Sequence, residues 1–332
     1  MKNNKIIFNK EFNATFIAED LQTQDLGDNE ILLKTEYSLI SPGTELAIYR
    51  GTESWAPLPF NPGYAAVGRV EAVGKAVESA SVGEMILALS PHSEYSIISD
   101  NSIFAKVPEN CDGKEAAFTR MAAVSITALR VSDIELGDRV AVFGMGLVGN
   151  LAAQLFHAAG ADVTAVDICE KRLDVAKTCG IRNILNSKEE GAREKLSGFD
   201  ATVDATGIPA MALEILKAAG KNGEAILLGS PRGEYKADMT ELLNQVHLWG
   251  NGCVTLKGAH EWRYPKKPVD GVKHNIQRNW EIILKMIADK KLKIEPLITH
   301  VFSPNEAQKA YQGLLNEKDS FLGVVFDWKS IS

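Results

Sequence analysis

The sequence predicts an α/β protein of two domains, a small all-β unit followed by a doubly wound parallel sheet. Three observations point there. At 332 residues the chain is long enough for two cores, on a prior of roughly 150 residues per domain. Residues 1–124 carry short β-prone runs, EILLKTEYSLI, AAVGRVEAVG and EMILALS, broken by Gly, Pro and Asn. From Asp138 onward apolar strand-like runs alternate with helical stretches, the pattern of a parallel sheet covered on both faces.

The elements follow in order. Strands are expected over 139–144, 162–167, 183–186, 201–207, 224–230 and 253–258. Helices open near Leu147 and run over 170–179, 209–219 and 240–249. Residues 258–277 show no clean period and carry two Pro and two Gly, so they read as a long loop. A helix over 279–291 follows, then a strand at PLITHVF and a helix NEAQKAYQGLL capped by Ser303 with Pro304 in its first turn. A last strand, GVVFDW, ends the pattern. The tail is expected to return to the N-terminal unit, dividing the chain into 1–124, completed by 278–332, and 125–277.

Composition excludes several classes of function. A net charge of −7 argues against nucleic acid as the main partner, since phosphate neutralisation needs clustered Lys and Arg. No apolar run approaches the roughly 20 residues that span a bilayer. The N-terminus has no sustained apolar stretch. A cytoplasmic protein with a small-molecule substrate, and no membrane or nucleic-acid partner, is the expectation. Cys111, Cys169, Cys179 and Cys253 form no CxxC pair, so neither a disulfide framework nor a structural zinc lobe can be read from them.

The strongest chemical signal is RVAVFGMGLVGNLAAQLFHAAGADVTAVD. Gly144, Gly146 and Gly149 form GxGxxG between a strand and a helix. The first serves a tight turn, the second lets backbone approach a pyrophosphate, and the third lets helix pack on strand. The backbone N–H groups of Leu147 and Val148, at the positive end of the helix, would meet the pyrophosphate. Asp167 ends the next strand, where a carboxylate accepts ribose hydroxyls and repels the 2′-phosphate of NADP, so NAD is the expected cofactor. Lys171 and Arg172 sit close enough to blur that preference. Thr206, Gly207, Gly229 and Ser230, at later strand ends, are expected to flank ribose and nicotinamide.

On these motifs, and on YSLISPGTELAIYRG, NPGYAAVGRV and MAAVSITALR, the whole chain resembles the medium-chain dehydrogenase/reductase superfamily of zinc-type alcohol dehydrogenase-like proteins. It looks most like a zinc-free branch that includes bacteriochlorophyllide a dehydrogenase. The resemblance implies a GroES-like β domain, a Rossmann domain and a dehydrogenase or reductase acting on CH–OH donors. Zinc-dependent members hold their metal with a Cys, a His-Glu pair and a third Cys or Glu; the matching positions here read Pro42, Tyr64 and Ala65, with no thiolate or imidazole around Met121 to Ala123. No zinc is therefore expected. Without a Lewis acid another group must serve the reacting oxygen. Thr44 matches the hydroxyl of the zinc members' proton relay, Tyr64 replaces the metal-binding His, and Glu45 is placed to orient a neighbour or to pair with Arg50 or Arg120.

For the substrate, Trp262 and Arg263 from the long loop, Trp55 from RGTESWAPLPF and His92 from SPHSEY are the candidates. The resemblance leaves open a polyol, sugar, cyclitol or larger alcohol. Two further readings stay open: an enoyl- or quinone-type C=C reductase, and a nucleotide-binding protein without catalysis. The run CVTLKG resembles the edge strand through which family members pair, implying a homodimer.

Overall fold

Residues 1–22 and 26–331 are described by the structure, a computed structural model. The N-terminal lobe opens on the hairpin β1 (Lys2–Lys10) and β2 (Asn13–Asp20). It continues through β3 (Glu30–Leu39), α1 (Pro42–Tyr49), β4 (Ala66–Val73), β5 (Met85–Ala88), β6 (Tyr95–Ser99) and β7 (Phe104–Lys106), then α2 (Gly113–Ala117) and α3 (Thr119–Val131).

The helices correct the all-β expectation for residues 1–124. In α1 Pro42 takes the first helical turn, where its missing N–H costs nothing, and Glu45 answers the helix's positive end. Eight residues between Pro and Gly punctuation are too few for a 3.6 period to stand out. In α3 small side chains let the helix pack between later helices, and nearly every residue from Thr119 to Ala128 is buried. That leaves little amphipathic signature to read.

The second domain runs β8 (Arg139–Phe143), α4 (Leu147–Ala158), β9 (Asp162–Asp167), α5 (Glu170–Thr178), β10 (Asn183–Asn186) and α6 (Ala192–Lys195). It continues with β11 (Phe199–Asp204), α7 (Met211–Ala218), β12 (Ala219–Leu227), α8 (Met239–His247) and β13 (Thr255–Gly258). Its six strands are parallel, in the order β10-β9-β8-β11-β12-β13. Val140 to Phe143 of β8 are all buried, as a central strand covered on both faces requires. The winding reverses between β8 and β11, which opens a crevice at the carboxyl ends of these strands.

A single 3₁₀ turn, Glu261–Arg263, interrupts the long loop. α9 (Ile276–Ala288) begins earlier than expected because the Asn275 side chain caps it, accepting the Arg278 N–H at 2.8 Å. β14 (Ile298–Phe302), α10 (Ala307–Asn316) and β15 (Gly323–Asp327) then rejoin the first lobe. β15 pairs antiparallel with β3, Val325 opposite Leu39, and the sheet reads β14-β15-β3-β4-β5-β7, with β6 also on β3. Phe8, Tyr49, Tyr311, Phe326 and Trp328 share one buried core there, with the Phe8 and Tyr311 rings edge-on at 4.8 Å. Among the described residues no helix is long and apolar enough to cross a membrane.

Candidate active site

A cavity of about 910 Å³ lies between α1 and the carboxyl ends of the second domain's strands. That volume falls within the roughly 300–1,000 Å³ of small-molecule and cofactor sites.

Its floor is the glycine-rich turn. A Cβ at Gly149 would fall 1.8 Å from the Gly144 carbonyl oxygen, so only glycine lets α4 sit this close to β8. A Cβ at Gly146, the N-cap of α4, would meet nothing within 4 Å. The free space over Gly146 belongs to the cavity, as do Leu147, Val148, Thr206, Gly207, Gly229 and Ser230. First-turn N–H groups without intrahelical partners point there, at the helix's positive end. The Thr206 N–H and Oγ1–H donate to Asp204 Oδ1 at 2.8 and 2.6 Å, holding the β11 loop. Burial pushes the Asp204 carboxyl up, and those two bonds oppose the push.

Asp167 is buried at the end of β9. Its Oδ2 accepts the Met145 N–H at 2.6 Å, and its Oδ1 accepts the N–H groups of Ile168 and Cys169 at 2.7 and 2.9 Å. These bonds use three of about four carboxylate lone-pair directions. The side chain thus fixes the glycine turn, and it lies outside the residues that line the cavity. Arg172 stands beside it, Nη1 3.9 Å from Oδ2, while its Nη2–H donates to the Lys318 carbonyl at 2.8 Å.

The opposite wall comes from α1 and its neighbours. Pro42, Gly43 and Thr44 line the cavity from the first turn of α1, with Tyr64 across from them. The Tyr64 hydroxyl donates to Ser41 Oγ. Burial raises the Tyr64 phenol above its ordinary value; the Arg120 guanidinium and the Ser41 and Thr44 hydroxyls oppose this.

Glu45 reaches the wall with its carboxylate turned inward, to neighbours other than Arg50 and Arg120. Its Oε1 accepts the Ser41 N–H at 2.7 Å. Its Oε2 accepts the Tyr311 O–H at 2.6 Å and lies 3.0 Å from His92 Nε2. Glu45 therefore braces the turn that carries Ser41 and Thr44. His92 is a correction: it is fully buried behind the wall, off the cavity, with Nδ1 2.7 Å from Ser38 Oγ. Trp55 and Trp262 do line the cavity. Arg263 does not; its Nη1–H donates back to the Gly258 carbonyl at 2.6 Å, closing its own turn.

Four cavity residues are not among the site candidates read from the sequence: Ser41, which lies in YSLISPGTELAIYRG; Arg120, named there only as a partner for Glu45; Glu261; and Arg232. Arg120 and Glu261 are both about 95% buried and form an ion pair at 2.7 Å, Nη1 to Oε2. Burial raises the Glu261 carboxyl and Arg120 opposes it. Arg120 Nε is buried without an acceptor among the described residues, which costs about 1–3 kcal/mol. At the mouth, Arg232 Nε–H and Nη2–H donate to Glu53 Oε1 at 2.9 and 2.8 Å, tying the second domain to the first.

A β lobe placed over the switch point of a six-stranded parallel sheet, around a glycine cradle, defines a two-domain, nucleotide-dependent oxidoreductase. Two family models match, the alcohol dehydrogenase GroES-like domain over residues 27–106 and the zinc-binding dehydrogenase over residues 148–264. The chain belongs to the zinc-type alcohol dehydrogenase-like, medium-chain dehydrogenase/reductase superfamily. It is 24% identical to L-threonine 3-dehydrogenase of Burkholderia thailandensis, over 92% of this chain and 93% of that one. Its fold matches galactitol-1-phosphate dehydrogenase from Escherichia coli (TM-score 0.83, 18% identity, 98% of this chain and 99% of that one). It also matches 2R,3R-butanediol dehydrogenase from Bacillus subtilis (TM-score 0.80, 18% identity, 98% and 99%).

The family implies zinc, and the donor set does not fit it. Pro42 and Ala65 offer no side-chain donor atom, and Tyr64 is a neutral phenol already bonded to Ser41. Tetrahedral zinc takes thiolate, imidazole or carboxylate ligands; among the described residues no three such side chains gather. The carboxylates nearest the wall, Glu45 and Glu261, are committed to His92, Tyr311 and Arg120.

Proposed function

We propose that the chain is an NAD(H)-dependent oxidoreductase, of the zinc-free branch that includes bacteriochlorophyllide a dehydrogenase, moving hydride between nicotinamide and a secondary alcohol or ketone without a metal. The supporting observation is that the open backbone at Gly146 and the hydroxyl wall of Ser41, Thr44 and Tyr64 face one cavity. Gly146, Leu147 and Val148 would hold the pyrophosphate and Asp167 the adenosine ribose. Thr206, Gly207, Gly229 and Ser230 would flank the nicotinamide half. When bound, the nicotinamide supplies hydride to the substrate carbon or takes it away.

The residues of the chain manage the proton. As the carbonyl π pair withdraws onto oxygen, the Tyr64 phenol passes its proton to that oxygen and is reprotonated from solvent. Thr44 and Ser41 orient the phenol, and Glu45 holds Ser41 in place. A phenol kept neutral by burial is a donor, which suits carbonyl reduction. Trp55, Phe60 and Trp262 offer flat apolar faces, and the charges of Arg120 and Arg232 are each matched by a carboxylate. Both features favour an uncharged, hydroxyl-bearing substrate such as a polyol, sugar or cyclitol. They disfavour the phosphorylated polyol or amino acid for which two relatives are named.

Purified protein titrated by NADH fluorescence is expected to bind NADH at least tenfold tighter than NADPH, about 1.4 kcal/mol, and to hold well under one zinc per chain. Stoichiometric zinc, or no response to NADH, removes the proposal.

The same reading includes a homodimer. β13 is the edge of its sheet, and Met239, Leu243, Trp249 and Leu256 stand exposed beside it. No residue of α8 is buried. A second copy related by a two-fold axis would pair β13 with itself and cover these side chains. Light scattering should give twice the 36.1 kDa chain mass, and Leu243→Glu with Leu256→Glu should give the single mass. A wild-type monomer sinks the idea.

A further inference from the structure

We propose, resting on the metal-free hydride-transfer reading above, that Arg120 is the cation of the catalytic pole. Its guanidinium, held by Glu261, meets the substrate oxygen beside Tyr64 and stabilises the negative charge that gathers there during reduction.

Position is the first support. Arg120 enters the cavity near the start of α3, its Cζ 4.9 Å from the Tyr64 ring centroid and 6.0 Å from that of Trp262. It is thus set between the proposed proton donor and the aromatic wall of the substrate site. Unmet valence is the second. The side chain is 6% exposed; Nη1 lies 2.7 Å from Glu261 Oε2, and Nε is buried without an acceptor among the described residues. Glu261 balances the charge through Nη1 alone and leaves the rest of the fork without an ionic partner among the described residues. A guanidinium carries five N–H donors in a rigid fork; with Nε and Nη1 closed off and Nη1 on Glu261, Nη2 is the nitrogen left to meet an oxygen arriving in the cavity.

The third support is chemical. The positions at which zinc members polarise the substrate oxygen offer no ligands here, so a fixed positive charge must come from elsewhere. Arg120 is the cavity cation nearest Tyr64; Arg232 is spent on Glu53 at the mouth. Preorganised charge in a water-poor site is worth far more than in solution. The charged and titratable groups around Arg120 are Tyr64 and Glu261, with Glu45 behind Tyr64 and His260 beside Glu261. Arg120 draws the Tyr64 phenol down against its burial, which also eases release of the proton.

The test is the double variant Arg120→Gln with Glu261→Gln, which removes the charge without stranding a buried carboxylate. Its kcat for ketone reduction is expected to fall about 100- to 1,000-fold, as for loss of one oxyanion donor. NADH affinity should stay within about twofold of wild type. The Tyr64 phenolate transition, taken as the ultraviolet difference between the titration of each protein and that of its Tyr64→Phe counterpart, is expected to move to higher pH. That readout needs neither substrate nor cofactor and would not follow a merely structural role. A kcat within about threefold of wild type, or an unmoved Tyr64 transition, overturns the proposal. Should the double variant not fold, Arg120→Lys replaces it: the charge stays and the fork is lost, so a kcat loss of about tenfold or more is expected, and wild-type kcat overturns the proposal. Failure of the underlying reading shows separately, in wild-type protein that ignores NADH or carries zinc.

Discussion

Replacing Tyr64 by Phe is expected to lower kcat for ketone reduction by about 10²- to 10⁴-fold, the range for loss of a positioned general acid. The phenyl ring keeps its contact with Arg120, so NADH affinity and folding should change little. The pH dependence has a definite sign. Burial raises the Tyr64 phenol above the usual value near 10. The donating form is complete below that value and is lost only as pH rises through it. Reduction should therefore stay flat through neutral and mildly alkaline pH and decline only beyond the ordinary tyrosine range. Alcohol oxidation, which needs the phenolate as base, should climb over that same interval. Steady-state rates in both directions test this. Unchanged kcat in Tyr64→Phe, or a reduction rate already falling near neutrality, would remove Tyr64 from the chemistry.

Two glycine substitutions in one turn should fail in opposite ways. At Gly149 an alanine Cβ would land 1.8 Å from a backbone carbonyl. α4 must shift, at a cost of about 3 kcal/mol, and melting of the protein should drop by roughly 5 °C or more. At Gly146 the space is open, so Gly146→Val should melt like wild type. Its side chain, however, fills the place where a pyrophosphate would meet the α4 N-terminus, and NADH binding should weaken at least about 100-fold, ~2.7 kcal/mol. Calorimetry and fluorescence titration on the two proteins separate these outcomes. A Gly146→Val protein that binds NADH normally would mean that the cofactor does not sit on this turn.

Much of the parallel sheet was readable in the sequence because its strands are short apolar runs with glycine turns and regular helices between them. β9 and β10 begin and end at the expected residues. α1 and α3 were not readable, one being too short for its period to show and the other too uniformly buried. At the site, local motifs pointed to Gly146, Thr44 and Tyr64, each of which lines the cavity. Pairings across long sequence separations left no trace: Glu45 with Tyr311 and His92, Arg120 with Glu261, and Arg232 with Glu53. Each partner there is an ordinary charged residue whose role arises only when the fold brings distant segments together. His92 and Arg263 misled for the complementary reason. Each sits in a loop that borders the cleft, while its own hydrogen bonds turn it elsewhere.

The return of β15 to β3 sets an order on the molecule's birth. On the ribosome the stretch from β8 to β13 is contiguous and can close as soon as it emerges. The first lobe has to wait, with Leu39 lacking its neighbour Val325 and the aromatic cluster of Phe8 and Tyr49 lacking Tyr311, Phe326 and Trp328. The N-terminal lobe is thus finished only after the second domain, and until β14, α10 and β15 have been made it exposes an unpaired strand edge of the kind that invites aggregation.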